Sequence, residues 1–439
     1  MHLTQRAHVL ISLTAVLAIA GIWSSEPGLS QWWQVPAGLL LLGLALEALL
    51  MRNPVVTVQL RTATQGYLGR AQPARLEFHN GTRRGLTIEY APVMPAGVAA
   101  FVDKASRADS TREIRLGGTG VMSEPYSLIP LRLGEQAWAG LPARIRGPLG
   151  LAWWSTELPL LTRISVAPDT LQTARVRPHG APSGFRPRRV IGAGSELHQL
   201  RGYLPGDPPA RIDWKATARA GKLVTREYSE DQHLDVLIAL DAGRLSQIRA
   251  GQLDRYGLFA NIAARLAQSV IPNDDRIGLL VFADRPLAFY APERGLPAAT
   301  RLRRSLEQLK VEAAESDPLA AAMSIRRSVR HRSLVVLLTD LGDGVIAERL
   351  ARAVKLLSPP HLVVVAGVRS QEIAELARAE GTDWRDPWVA LAAQEHEHRI
   401  ATQRTLLRRL GAPVIVASED RLEQAVLLEY EALRRARRV

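Results

Sequence analysis

The sequence predicts an α/β protein in successive parts: two transmembrane helices, a β-sandwich-like domain, and a carboxyl-terminal domain with a mostly parallel sheet covered by helices. Three observations carry this expectation. Two apolar stretches without Lys or Arg open the chain. Apolar residues then alternate with a period of two as far as about residue 170, and beyond Asp235 short apolar strands alternate with amphipathic helices.

The first stretch, AHVLISLTAVLAIAGIW from Ala7 to Trp23, carries no charge; the second, VPAGLLLLGLALEALLM from Val35 to Met51, carries only Glu47. Each has about 17 residues, the short end of what crosses a bilayer as a helix. Trp23, Trp32 and Trp33 stand where an interfacial belt would put them. Arg6 precedes the first stretch and Arg52, Arg61 and Arg70 follow the second, while the connection holds Glu26 and no Lys or Arg. The positive-inside rule then gives a two-pass protein of the inner membrane with its soluble domains in the cytoplasm. A signal peptide ending near Ala18-Ile19-Ala20 is the rival; it would leave one anchor with the same orientation. Glu47 is about one turn from Arg52 and is expected to snorkel toward the interface.

Four regions follow: a transmembrane hairpin over residues 1–52, a β-rich sandwich over 53–170, a linker and charged segment over 171–234, and the α/β domain over 235–439. In the sandwich, Leu76 and Phe78 alternate with Glu77 and His79, Asn80-Gly81 opens a turn, and Leu86, Ile88 and Tyr90 resume the pattern. The linker RVRPHGAPSGFRPRRV, Arg175 to Val190, reads as a solvated tether or as a basic stripe for phosphate groups. In the last domain VLIAL, IGLLVFA, LVVLLTD, LVVVAGV and VIVA are buried-strand runs, LAFYA is an edge strand, and helices lie between them. Ligands of such sheets bind beyond the carboxyl ends of the strands, which points to Asp241 and to Thr339–Asp343.

Composition excludes several chemistries. The 439 residues include no cysteine, so thiolate zinc sites, iron–sulfur clusters and cysteine nucleophiles are out. With 56 Lys+Arg against 43 Asp+Glu the formal charge is +13, which favours acidic partners, anionic membrane faces or nucleic acid. No phosphate loop, dinucleotide fingerprint or G-x-S-x-G elbow appears. Glu395-His396-Glu397-His398 spaces its histidines two apart, on opposite sides of a helix, and is read as a solvated face. No catalytic residue is expected.

The segment RGYLPGDPPARIDWKATARAGKLVTREY, from Arg201 to Tyr228, resembles the signature of the bacterial family catalogued as domain of unknown function 58. Arg201, Tyr203, Gly206, Asp207, Arg211, Trp214, Lys215, Thr217, Arg219 and Glu227 stand as that pattern has them. The resemblance implies membrane helices, a β-rich segment and a von Willebrand factor A-like carboxyl-terminal domain. It also implies a non-enzymatic, protein-binding adaptor that works with a MoxR-type AAA+ ATPase in complex maturation or envelope processes. The alternative is a protein that binds nucleic acid or anionic lipid through its basic linker and tail, although no specific nucleic-acid motif is present. A-type domains of this kind can hold Mg²⁺ through Asp-x-Ser-x-Ser, a Thr and a further Asp. Here Asp241, Ser316 and Asp340 match, while Gly243 and Leu245 replace both serines, so the resemblance implies a degenerate site with no required cofactor. The signature segment is expected to pack on the A-type domain as a defined element with Trp214 mostly buried, and with Asp207 or Asp213 paired to an arginine such as Arg211 or Arg219.

Overall fold

The computed structural model describes residues 2–23, 31–51, 56–103, 106–107, 110–170, 190–230, 233–381 and 383–436. The chain forms two units, Met1–Pro168 and Asp169–Val439.

In the first unit the two apolar stretches are helices, Gln5–Trp23 and Gln34–Leu50. The first is long and apolar enough to cross a membrane; the second is a shorter apolar helix of 17 residues. The period-two region folds as expected. Val56–Thr62 buries Val56, Val58 and Leu60 and exposes the residues between them, because successive side chains of a strand face opposite ways. It pairs with Gln72–Asn80, then Val121–Pro130 and Val98–Asp103, in one antiparallel sheet. A second sheet runs Ala152–Pro159, Gly140–Arg146, Leu86–Tyr90, Arg112–Leu116. Phe78 of one sheet meets Tyr90 of the other at 4.8 Å between ring centres, and the Tyr90 and Tyr126 hydroxyls are 2.7 Å apart. Both rings are enclosed by the two sheets, the arrangement of a sandwich core.

Two features of this unit were not legible in advance. His2–Leu3 is a strand, paired antiparallel with Ala152 and Trp153 at the edge of the second sheet. Glu47 does not snorkel. It is 0% exposed and accepts backbone N–H groups from Leu149, Leu151 and Ala152 at 2.9–3.1 Å, with the Trp154 indole at 3.4 Å. The loop Gly147–Ala152 supplies donors within reach, so the carboxylate gains more from turning into the protein than from reaching for solvent. The Trp154 indole thus also helps to hold this carboxylate.

The second unit alternates strands and helices as the sequence indicates. Its six-stranded sheet runs Pro286–Arg294, Arg276–Phe282, Asp235–Asp241, Leu334–Leu338, Leu362–Val368, Val414–Ala417. All neighbours are parallel except the first pair, where the LAFYA segment forms the antiparallel edge. Val236–Asp241 is wholly buried, as a central strand covered on both faces must be. Helix Arg255–Val270 lies among the covering helices. Its Arg265 reaches Asp169 at 2.9 Å and also pairs with Glu423, tying the incoming chain to helix Leu422–Arg435. This build is the mixed α/β fold that the A-type resemblance implies.

Candidate functional site

The signature residues gather on one arm. Strand Val190–Gly202 pairs antiparallel with Val224–Glu230, and a turn and the helix Trp214–Ala220 close the far end. The register sets Gln199 opposite Glu227 and Arg201 opposite Thr225. Arg201 therefore lies against two carboxylates. Its Nε donates to Glu227 at 3.1 Å, and its two terminal nitrogens grip both oxygens of Asp207 at 2.7 and 2.9 Å. That is the forked geometry guanidinium matches best. Gln199 donates to the other oxygen of Glu227 at 2.6 Å. The Arg201 guanidinium and the Leu204 N–H hold the Asp207 carboxyl down at about 2, and Arg201 in turn is raised by its two acids. Gly206, at φ +107, allows the turn that brings Asp207 back under Arg201. The Tyr203 hydroxyl closes the turn on the Asp207 carbonyl at 3.3 Å.

The helix of the arm is fixed in the same inward manner. Asp213 caps it by accepting from Ala216 N–H, and its other oxygen takes Arg226 Nε, both at 2.9 Å. The pair and the cap lower the Asp213 carboxyl, the cap most. Thr217 accepts Val224 N–H at 3.0 Å, and Gly221 at φ +64 ends the helix. Arg211 closes the short turn Pro209–Arg211 before the cap.

Two expectations are corrected here. Asp207 and Asp213 pair with Arg201 and Arg226, not with Arg211 or Arg219, because the strand register places the former two beside them. Trp214 is 66% exposed rather than buried. It is the first residue after the cap of a two-turn helix that packs beside the strand Val224–Glu230 of a two-stranded ribbon. Asp207, Asp213 and Glu227 are thus engaged within the arm, which turns outward Trp214, Lys215 and Arg219, with Leu200, Leu204 and Leu223 also exposed.

The second cluster lies at the carboxyl ends of the sheet strands. Asp241, Ser316, Thr339 and Asp340 are all buried there. Asp241 Oδ1 accepts from Gly243 N–H at 2.9 Å and from the Ser316 hydroxyl; Oδ2 accepts from Thr339 Oγ1 at 2.6 Å. Ser246 donates to the Asp241 carbonyl at 2.8 Å. Burial raises the Asp241 carboxyl, the hydroxyl and N–H donors oppose this, and the charge of Asp340 adds to the rise.

These residues do not fit a Mg²⁺ ion. A Cβ on Gly243 would collide with Ser316 Oγ, so the Ser316 hydroxyl fills the space of the missing serine side chain. Asp340 accepts from Gly342 N–H at 3.1 Å and meets the guanidinium of Arg255 at 2.9 Å. Arg255 is itself buried and supplies the positive charge that a hard cation would otherwise bring. Among the described residues no group of three or more His, Asp or Glu side chains is placed to hold a metal. Sequence reading missed Arg255. The available signal was an arginine opening a helix, Arg255–Val270, whose face toward the sheet is apolar.

The EHEH cluster is also corrected. His396 sits against Gly342, where any Cβ would strike its ring, and Glu397 pairs with Arg369 at 2.7 Å. Glu395 and His398 are exposed, as a solvated face requires. Most of the basic linker that starts at Arg175 lies outside the described residues, as do Glu26, Arg52 and the end of the basic tail.

Residues 199–409 match the family model described as Protein of unknown function DUF58. An uncharacterised protein of Mycobacterium bovis is 24% identical over 292 residues, 62% of this chain and 90% of that protein. The uncharacterised protein YeaD of Bacillus subtilis is 22% identical over 336 residues, 70% of this chain and 77% of that one. Among solved structures, BatB from Bacteroides thetaiotaomicron is 16% identical with a TM-score of 0.31, covering 46% of this chain and 98% of its own. The VWA domain of SpRpn10 is 12% identical with a TM-score of 0.29, covering 44% and 94%.

Proposed function

We propose, from the premise that residues 199–409 belong to the DUF58 family, that this protein is a membrane-anchored, non-enzymatic adaptor that docks a protein partner through its arm. The arm carries the reading. Its caps and ion pairs are spent on its own rigidity, and the residues left over are an indole flanked by cations, the mixture that makes binding hot spots. The partner it suits has an apolar pocket rimmed by carboxylates. A MoxR-type AAA+ ATPase is the partner we propose.

A non-catalytic role is supported by the strand-end cluster, whose carboxylates are engaged by Ser316, Thr339, backbone N–H groups and Arg255 rather than aimed at open space. The anchor is proposed to be two-pass with both units cytoplasmic. Arg6, Arg61 and Arg70 support that orientation, and the pairing of His2–Leu3 with Trp153 and Ala152 holds the start of the first helix on the same side as the sandwich. That strand also argues for retention of the first helix rather than its removal as a signal peptide. The test is retention of a purified MoxR-type ATPase by the full-length protein in mild detergent at physiological salt. Retention that disappears in Lys215→Glu/Arg219→Glu supports the reading, and no retention by the unaltered protein sinks the proposed partner.

A further inference from the structure

We infer that the loop Gly147–Ala152 of the sandwich is a wedge that enters the lipid bilayer alongside the second apolar helix, with Leu149 at its tip. The inference rests on the two-pass anchor proposed above and adds a lipid-facing surface to a domain otherwise read as soluble.

The depth follows from contacts along the helix Gln34–Leu50. Glu47, three residues from its end, holds the N–H groups of Leu149, Leu151 and Ala152. A Cβ at Gly43 would stand 2.6 Å from Leu151 Cδ1 and 3.5 Å from Leu149 Cδ1. Gly43 is seven residues from Leu50, about 10 Å along the helix axis at 1.5 Å per residue. Wherever that helix lies in the bilayer, these two leucines reach about 10 Å up its apolar length. The first helix meets the same loop from its own start: Thr4 N–H donates to the Leu151 carbonyl at 2.9 Å, and its hydroxyl donates to the Gly150 carbonyl.

Backbone accounting points the same way. Irregular backbone survives at membrane depth only when its polar groups are satisfied within the protein. The N–H of Gly147 goes to the Ala152 carbonyl, that of Gly150 to the Gly147 carbonyl, and those of Leu149, Leu151 and Ala152 to Glu47. Residue 148 is proline and has none. Every N–H of the loop is thus paired. The N–H groups of Leu151 and Ala152 are buried by the protein and need a partner in any setting, whereas that of Leu149, at the exposed tip, would find water in an aqueous one and here goes to Glu47 as well. The tip, meanwhile, is apolar: Leu149 is 43% exposed, the same as Leu46 on the helix.

The chain has no cysteine, so Leu149→Cys gives a single labelling site. The full-length protein, spin-labelled there and placed in vesicles of phosphatidylethanolamine and phosphatidylglycerol, is read for collision with oxygen and with a water-soluble nickel chelate. Leu46→Cys serves as the helix reference. Leu161→Cys, exposed beyond the far end of strand Ala152–Pro159, serves as the aqueous one. The wedge predicts that position 149 matches position 46, open to oxygen and closed to the chelate, while 161 is open to the chelate. Pro148→Cys repeats the reading without disturbing any backbone hydrogen bond. If 149 and 148 behave as 161 while 46 stays closed, the anchor stands and the wedge is overturned. If 46 is also open to the chelate, the anchor itself fails and the wedge with it.

Discussion

Arg255→Met tests whether the strand-end cluster carries its own cation. The guanidinium approaches Asp340 at 2.9 Å with both side chains under a tenth exposed. At an effective dielectric of about 20, unit charges at that 2.9 Å separation attract by about 6 kcal/mol before desolvation is counted. Removing one partner of such a pair strands the other, and the net loss is about 3–5 kcal/mol. Methionine keeps most of the volume, so the loss reports charge rather than a cavity. Amide exchange on the strands Asp235–Asp241 and Leu334–Leu338 of the full-length protein reads this unit separately from the sandwich. Their protection should fall roughly 10²–10⁴-fold, and Asp340→Asn added to Arg255→Met should recover most of it. In the unaltered protein millimolar Mg²⁺ should leave protection unchanged, whereas an ion at a hundred times its dissociation constant would add ~2.7 kcal/mol. A loss below about 1 kcal/mol, the level of a surface pair, or an Asp241-dependent gain with Mg²⁺, would refute the reasoning.

Three further outcomes follow from the same geometry. Asp241 has its carboxyl raised by burial, so the folded state holds that proton more tightly, and stability declines as pH rises from the unfolded value of 3.8 through the raised one. Asp241→Asn keeps an acceptor for Gly243 and Ser316 and should be at least as protected at pH 7, with a flatter pH profile; a loss above about 1 kcal/mol, the scale of a net hydrogen bond, would contradict this. Asp207 behaves oppositely: its carboxyl is lowered to about 2, so the arm's clamp is intact above about 4 and is lost as pH falls through about 2. A fluorotryptophan resonance at position 214 should shift over that window, and should show no such step in Arg201→Ala. Glu47→Gln turns an amide toward N–H donors and should cost about 1–3 kcal/mol of local stability, seen as faster exchange of Leu149, Leu151 and Ala152; unchanged exchange would show that the carboxylate is dispensable.

The elements of both units were readable because burial imposes period. Val56, Val58 and Leu60 announce a half-buried strand, and the unbroken VLIAL of Val236–Leu240 announces a doubly covered one. What was not readable depended on partners far apart in sequence. Glu47 looks like an isolated charge until the fold brings residues 149–154 to it, and Arg255 looks like a helix-end cation until the sheet places Asp340 beside it. His2–Leu3 is too short to show any period. On the arm the residue types were recognisable, but the pairing of Arg201 with Asp207 and Glu227 follows from hairpin register, which charge order alone does not give. Trp214 was misplaced because an indole among charges suggests an apolar anchor packed inside, whereas it opens a helix of seven residues beside a two-stranded ribbon and stands 66% exposed.

The most direct test of the arm as a docking element is Trp214→Ala, read twice on one full-length preparation in mild detergent. Amide exchange of Leu200–Gly202 and Val224–Glu227 reports whether the arm keeps its fold, and equilibrium binding of a purified MoxR-type ATPase reports whether it still docks. Because the indole is 66% exposed, the arm should lose less than about 1 kcal/mol, while removal of a central aromatic anchor should weaken binding by 2 kcal/mol or more, roughly 30-fold. Arm exchange that collapses in the variant, or binding that is unchanged by it, would contradict a docking role for Trp214.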